Sequence, residues 1–144
     1  GGTRSNVVAA DAIAEVDVRV SRLEDAPRLD RAIQGLRSDD PRISVHVDGT
    51  IDRPPFERTE GVAALFELAK AVARDLGTDL QEGSTGGASD GNFTGALGVP
   101  TLDGLGAVGG GAHATDEHVE LAPLPMRAAL AAGLLRRLAL SPEP

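Results

Sequence analysis

The chain contains no cysteine, no tryptophan and no tyrosine, and only one methionine and one lysine. Without cysteine there is neither a disulfide framework nor a thiolate metal site, so any metal must be held by His, Asp or Glu. Three phenylalanines make up the whole aromatic complement. The core must therefore be built from Leu, Val, Ile and Ala, and a protein that stacks nucleic-acid bases on rings is disfavoured. Positive charge is short as well: the formal net charge is −8, whereas nucleic acid and anionic membranes both demand a basic footprint. Long apolar runs are missing too. The most apolar stretch, residues 126–140, is broken by Arg127, Arg136 and Arg137 and reads as neither a membrane span nor a signal peptide. The compartment stays open, with the cytoplasm favoured.

What is present suits a soluble globular domain: 144 residues, 41% hydrophobic and 25% charged. Thirteen of the 14 basic residues are Arg, the side chain that forks onto carboxylates in two-point fashion. The chain opens on Gly1-Gly2-Thr3 and carries its one Met at position 126, which reads as a piece of a longer protein.

Along the chain, Ala14, Val16, Val18 and Val20 alternate with Glu15, Asp17 and Arg19, the period of a half-buried strand over residues 13–20. Asp25 and Pro27 open a helix in which Leu29, Ile33 and Leu36 recur up to residue 38, and Ile43, Val45 and Val47 alternate in a second strand ended by Asp48-Gly49. Two prolines in Asp52-Arg53-Pro54-Pro55-Phe56 cannot continue a central strand, so a boundary falls there. Thr59 caps a long helix with Val62, Leu65, Phe66, Ala69, Val72 and Leu76 as its apolar stripe and Gly77 as a left-handed stop. A short strand is expected around Leu80, a brief helix capped by Asp90 from Phe93 to Leu97, and a strand over residues 100–102. The final helix is expected over residues 125–138, with Leu130, Leu134, Leu135 and Leu138 facing inward. Alternating β and α elements after Thr59 predict an α/β layer with ligand loops at strand ends.

Two loops stand out. Gly83-Ser84-Thr85-Gly86-Gly87-Ala88-Ser89-Asp90-Gly91-Asn92-Phe93 and Gly109-Gly110-Gly111-Ala112-His113-Ala114-Thr115-Asp116-Glu117-His118 each crowd glycines beside groups able to hold a metal or a carboxylate. The first has no lysine and so is not the phosphate-binding loop. Read singly, it is equally a plain surface loop or a phosphate cradle. His113 follows three glycines with no apolar run to bury it, whereas His46 points outward from its strand and His118 carries no distinct signal. Arg19 either pairs with Glu15 or Asp17 on a solvated strand face or waits for a ligand carboxylate.

Together these motifs resemble the two-zinc exopeptidase and deacylase family that includes glutamate carboxypeptidase, succinyl-diaminopimelate desuccinylase, acetylornithine deacetylase and aminoacylase. Gly111, His113 and Glu117 fit its Gly-x-His-x-x-x-Glu motif. Gly86, Gly87, Ser89 and Asp90 fit its Gly-Gly-x-Ser/Thr-Asp loop, with Ala88 where carboxypeptidase relatives often have a third glycine. Gly1-Gly2-Thr3-Arg4-Ser5-Asn6-Val7-Val8 followed by Asp17-Val18-Arg19 resembles its lid motif. The resemblance implies an α/β fold with an α+β lid part. Residues 1–53 would form the second half of a ferredoxin-like lid, which is also the dimerisation domain, and residues 54–144 the C-terminal part of a three-layer zinc-binding domain.

The implied activity is hydrolysis of an amide bond next to a free carboxylate, in a peptide or an N-acyl amino acid. Zinc is the implied cofactor, about two ions per subunit, with His113 a ligand. Asn6 would hold the scissile group, Arg19 the α-carboxylate, and Arg53, Gly87 and Ala88 would line the substrate site. The family's Glu-Glu pair does not occur, and its catalytic base and most of its zinc ligands are not assigned to this chain, so no catalytic residue is placed in it. It is expected to be inactive by itself, to associate with a missing N-terminal portion and to form a homodimer through the lid. Glutamate-carboxypeptidase-like exopeptidase is the first reading and N-acyl amino acid deacylase the second. A non-catalytic carboxylate-binding or assembly module is the rival of another class.

Overall fold

A computed structural model of the chain describes residues 1–140. A 3-10 turn at Leu23–Asp25 leads into α1 (Ala26–Gln34), followed by α2 (Glu60–Asp75), α3 (Gly91–Ala96), β1 (Gly109–Gly110), β2 (His118–Val119) and α4 (Leu124–Leu140). Helices with a small antiparallel β1–β2 sheet are compatible with the α/β class.

The most complete element is α2. At its start the Thr59 hydroxyl accepts from the Val62 N–H at 3.3 Å, satisfying one of the amides that a helix leaves open. At its end Gly77 takes φ +74°, its N–H donates to the Arg74 carbonyl, and the Thr78 N–H reaches back to Ala73. That is the paired C-terminal closure that the left-handed glycine permits. Phe66, Ala69, Val72 and Ala73 are buried along one stripe.

Helix α4 lies on that stripe. A Cβ on Gly133 would stand 2.6 Å from Val72 Cγ1, so the absent side chain is what lets the two helices approach. Val72, Ala73 and Leu130 form the centre of the core, with Leu80 and Leu105 packed against it, and Arg137 pairs with Asp75 across the far end. The inward face is narrower than the sequence suggests: Leu130 and Leu134 are buried, but Leu135 is 68% exposed and Leu138 44%. Leu135 lies one step around the helix from the row of Leu130 and Leu134, and Leu138 continues that row to the level where α2 ends at Asp75, beside the Arg137 pair.

Ahead of α2 the expectations fail in an instructive way. Helix α1 begins at Ala26 but stops at Gln34, leaving Leu36 beyond it. Asp25 is already helical in backbone and makes no side-chain cap bond, because the 3-10 turn feeds straight into the helix. The strands expected over residues 13–20 and 43–47 make no ladder among the described residues, and Ile13 and Val16 are 88% and 75% exposed. Period-two alternation prepares a face for burial, but a strand exists only when a neighbour takes its amides and carbonyls. The short strands expected around Leu80 and over residues 100–102 are likewise unpaired. The one ladder among the described residues lies where only a loop was expected, pairing Gly109 with Val119 and Gly110 with His118.

Candidate functional site

The first glycine-rich loop is held by side chains. Asn92, in the first turn of α3, is the buried polar residue among those described. Its Nδ2 donates to the Pro54 carbonyl at 2.8 Å, and its Oδ1 accepts from the Ser89 N–H at 2.9 Å. Ser89 Oγ in turn accepts from the Gly91 N–H at 3.1 Å. Beneath them the Phe56 ring lies against the α3 glycines: a Cβ on Gly91 would meet it at 3.4 Å and one on Gly95 at 2.9 Å. The expected cap, Asp90, makes no side-chain bond to α3 and has helical backbone angles. The helix runs over Gly91–Ala96, close to the expected span, and the anchor is Asn92.

Of the two backbone donors implied for a ligand carboxylate, the Gly87 N–H is taken by Thr85 Oγ1 at 3.2 Å. The Ala88 N–H meets no acceptor among the described residues, and Ala88 keeps a negative φ. It is a donor left open on an exposed loop.

Arg19 reaches this loop from 67 residues away, its Nη1 donating to the Gly86 carbonyl. Its other nitrogens engage Asp17 Oδ2 at 3.0 and 2.6 Å. The arginine raises no new charge there; it holds the Asp17 carboxyl below its ordinary range through hydrogen bonding and charge, and is itself held more firmly protonated. Arg19 thus pairs with Asp17 in its own segment and also touches the Gly86 carbonyl of the first glycine-rich loop. Exposed pairs of this kind exchange readily for another carboxylate. Arg53 stands over the Phe93 ring at 5.1 Å, a cation–π contact that places its guanidinium on the α3 side of the same loop.

The second loop is held by backbone. The Glu120 N–H donates to the Val108 carbonyl at 2.8 Å and extends the β1–β2 pairing. Gly109 is required at its place, since a Cβ there would come within 2.0 Å of the His118 carbonyl oxygen. At the tip the Ala114 N–H closes a turn onto Gly111 at 2.8 Å, with Gly111 at φ +68° and His113 at φ +66°. His113 is the non-glycine residue with positive φ among those described, a conformation that costs on the order of 1–3 kcal/mol and is retained where the surroundings impose it. His118 instead spends Nδ1 on the Asp116 carbonyl at 2.9 Å. The side chains of Asn6 and His113 make no hydrogen bond among the described residues.

Behind both loops sits a second anchor that the sequence reading passed over. Arg127, half-buried on α4, donates through Nε to the Gly106 carbonyl at 2.8 Å and also reaches the Gly104 carbonyl. Asp103 accepts from the Gly104 N–H at 2.7 Å, and the Ser89 hydroxyl and that N–H hold its carboxyl below the usual range. Ser89, in the first loop, thus also bears on the turn at Asp103 and Gly104 that Arg127 holds. The missed anchors did leave a trace in the sequence: an Asn in the first turn of a short helix competes for local backbone groups and so marks a side-chain-to-backbone joint.

Among the described residues no three His, Asp or Glu side chains come together to hold a metal ion. His113 and Glu117 by themselves do not make a metal site, and a complete ligand set would need residues from outside this chain.

The model of peptidase family M20/M25/M40 matches residues 4–137. The chain belongs to this family. Carboxypeptidase G2 of Pseudomonas sp. is 32% identical over 141 residues, which is 95% of this chain and 34% of the relative. A succinyl-diaminopimelate desuccinylase of Pseudoalteromonas atlantica is 29% identical over 140 residues, 96% of this chain and 36% of the relative. Another, from Thioalkalivibrio sulfidiphilus, is 35% identical over 85 residues, covering 58% of this chain and 22% of the relative. Among the relatives matched nearly end to end, the chain spans 34–36% of their length. No solved structure matches it. The membership agrees with the resemblance read from the motifs, and the M20 relatives are hydrolases.

Proposed function

We propose that this chain is the C-terminal portion of a zinc-dependent hydrolase that cleaves an amide bond next to a free carboxylate, in the manner of the carboxypeptidase relative. The meeting of Arg19 with the Gly86 carbonyl carries the reading. It brings a guanidinium to the loop that carries the open Ala88 N–H, and a planar cation together with a free backbone donor is what a substrate carboxylate needs. Residues 1–53 act as the second half of a ferredoxin-like lid through which the protein dimerises, and residues 54–144 as part of the zinc-binding domain.

In this reading Arg19 releases Asp17 and forks onto the α-carboxylate, Ala88 donates its N–H to the same group with Gly87 supporting it, Arg53 borders the pocket and Asn6 holds the scissile carbonyl. Zinc, held chiefly by residues outside this chain with His113 supplying one bond, would polarise the carbonyl and activate water. The N-acyl amino acid deacylase reading is kept beside it because several matched relatives are desuccinylases, and it uses the same carboxylate clamp.

The test is made on the whole protein. Arg19→Ala lowers kcat/KM for a free-acid substrate by about 10- to 150-fold, the worth of a charge-assisted pair, and costs the corresponding carboxamide little. Equal losses for acid and amide would refute the clamp. His113→Ala abolishes turnover and removes about one of two zinc ions per subunit; a wild-type protein without zinc would leave a non-catalytic binding module instead.

A further inference from the structure

The segment that leads from the first part of the chain into α2 and the loop proposed to receive substrate are separated by more than thirty residues, yet one buried side chain spans them. Asn92 uses both ends of its amide, the donor on Pro54 and the acceptor on Ser89. Phe56 closes the apolar half of the same joint against Gly91 and Gly95, and Arg53 stands over Phe93 on its outer side. Arg53, Pro54 and Phe56 thus all meet residues 91–95. A buried primary amide whose two ends are satisfied by two different backbone segments fixes their relative register, because losing either bond leaves a polar group stranded.

We infer that Asn92 is a positioning residue, tying the segment around Pro54 to the Gly86–Ser89 loop so that the Gly86 carbonyl keeps its place against Arg19 and the Ala88 N–H its orientation in the loop. The inference rests on the proposed function for its catalytic consequence but not for the tie itself. Ser89 receives the amide's acceptor on its N–H, one residue after Ala88, so a rotation of Asn92 turns the Ala88 peptide directly. The Pro54 side of the joint is stiff, since Pro54 and Pro55 fix their own φ angles. Movement arriving from the first fifty residues therefore reaches the ligand loop through Asn92 and is not absorbed by the linker.

Two readouts on the whole protein test this. In hydrogen exchange, Asn92→Ala speeds exchange of the Ser89 and Gly91 amides by about 10-fold or more while α2 amides are unchanged. Phe56→Leu, which alters only the linker side, speeds the Ser89 amide in the same direction. In kinetics with an N-acyl glutamate and its α-carboxamide, Asn92→Ala raises KM for the acid about 10-fold, changes kcat by less than about 2-fold and leaves the carboxamide nearly untouched. Should Asn92→Ala also loosen α2, Asn92→Asp decides by the same readouts, because it keeps the acceptor for Ser89 and lacks only the donor to Pro54. Unchanged exchange at Ser89 in both Asn92 variants, or equal losses for acid and carboxamide, overturns the inference. If the wild-type protein hydrolyses neither substrate, the proposed function has failed, and the exchange measurement still decides the tie.

Discussion

The α2–α4 pair and the first fifty residues both carry patterned apolar faces, but one is closed and the other open. Val72, Ala73 and Leu130 are almost wholly buried between two helices, whereas Val8, Ile13 and Val16 are 95%, 88% and 75% exposed. A helix satisfies its own backbone and asks a neighbour only for a matching stripe; a strand asks for its hydrogen bonds as well. The whole molecule carries the mark of that difference. Its accessible surface is 11549 Å² for a mass of 14.8 kDa, where a folded monomer of that size exposes about 7,000 Å². The excess is the surface that the proposed lid and zinc-binding layers would bury against further polypeptide.

The sharpest way to break this contrast is to measure the amides of Val16, Val18 and Val45. If the first segment is open only for want of a neighbouring strand, these amides exchange about 1,000-fold more slowly in the whole protein than in these 144 residues, as expected for a ladder with about 4 kcal/mol of local stability. Protection of the same amides in the 144 residues alone would show that the segment finds a partner within itself, by strand exchange between copies or otherwise, and the contrast would fall.

A smaller effect tests the closed side. Gly133→Ala gains helix propensity of up to about 1 kcal/mol, but its new Cβ would meet Val72 Cγ1 at 2.6 Å. Valine is stiff at χ1 and cannot swing its methyl aside cheaply, so overpacking of about 1–3 kcal/mol outweighs the gain. A lowered denaturation midpoint for Gly133→Ala, restored by adding Val72→Ala, is the expected result; stabilisation by the single change would mean that the helices are not in contact.

Helices were legible wherever their ends were written locally. Thr59 and Gly77 bound α2 as expected, and Pro27 placed the start of α1, because caps act within one turn. Strands were legible only as faces. The alternation of Ala14, Val16, Val18 and Val20 is real, but its partner is not in the described residues, so the pattern stands without the ladder. At the site, the glycines and His113 could be singled out from composition, and the left-handed backbone at His113 adds a second reason to regard that position as imposed. Asn92 left a local trace but not its partner at Pro54, 38 residues away, while Asp103 and Arg127 were not legible, since the first acts on a turn whose shape only the fold defines and the second on carbonyls 21 and 23 residues away. The beginning of α3 shows the same limit: Asp90 has the composition of a cap, but Asn92 took the role by reaching outside its helix.

The smallest expected effect concerns the link between the first loop and the turn at Asp103. Ser89 and the Gly104 N–H hold the Asp103 carboxyl below its ordinary value, with the serine the larger influence. A carboxylate whose folded pKa lies below the unfolded value of about 3.9 stabilises the fold above that pH, and the contribution is lost as pH falls through the folded pKa. Ser89→Ala therefore moves the Asp103 titration upward, toward the unfolded value, in a carbon-detected NMR titration. The stability difference between wild type and variant that arises from this pair is present at pH 5 and above and shrinks as pH drops below about 4. Asp103→Asn, which cannot titrate, removes the pH dependence of that difference but leaves whatever Ser89 contributes through its separate bond with the Gly91 N–H. Because Asp103 is largely exposed, solvent screens most of the interaction and the shift in stability is slight. An Asp103 titration that stays in place when the hydroxyl is removed would show that the first glycine-rich loop is not joined to the turn at Asp103 and Gly104, and that the two move independently.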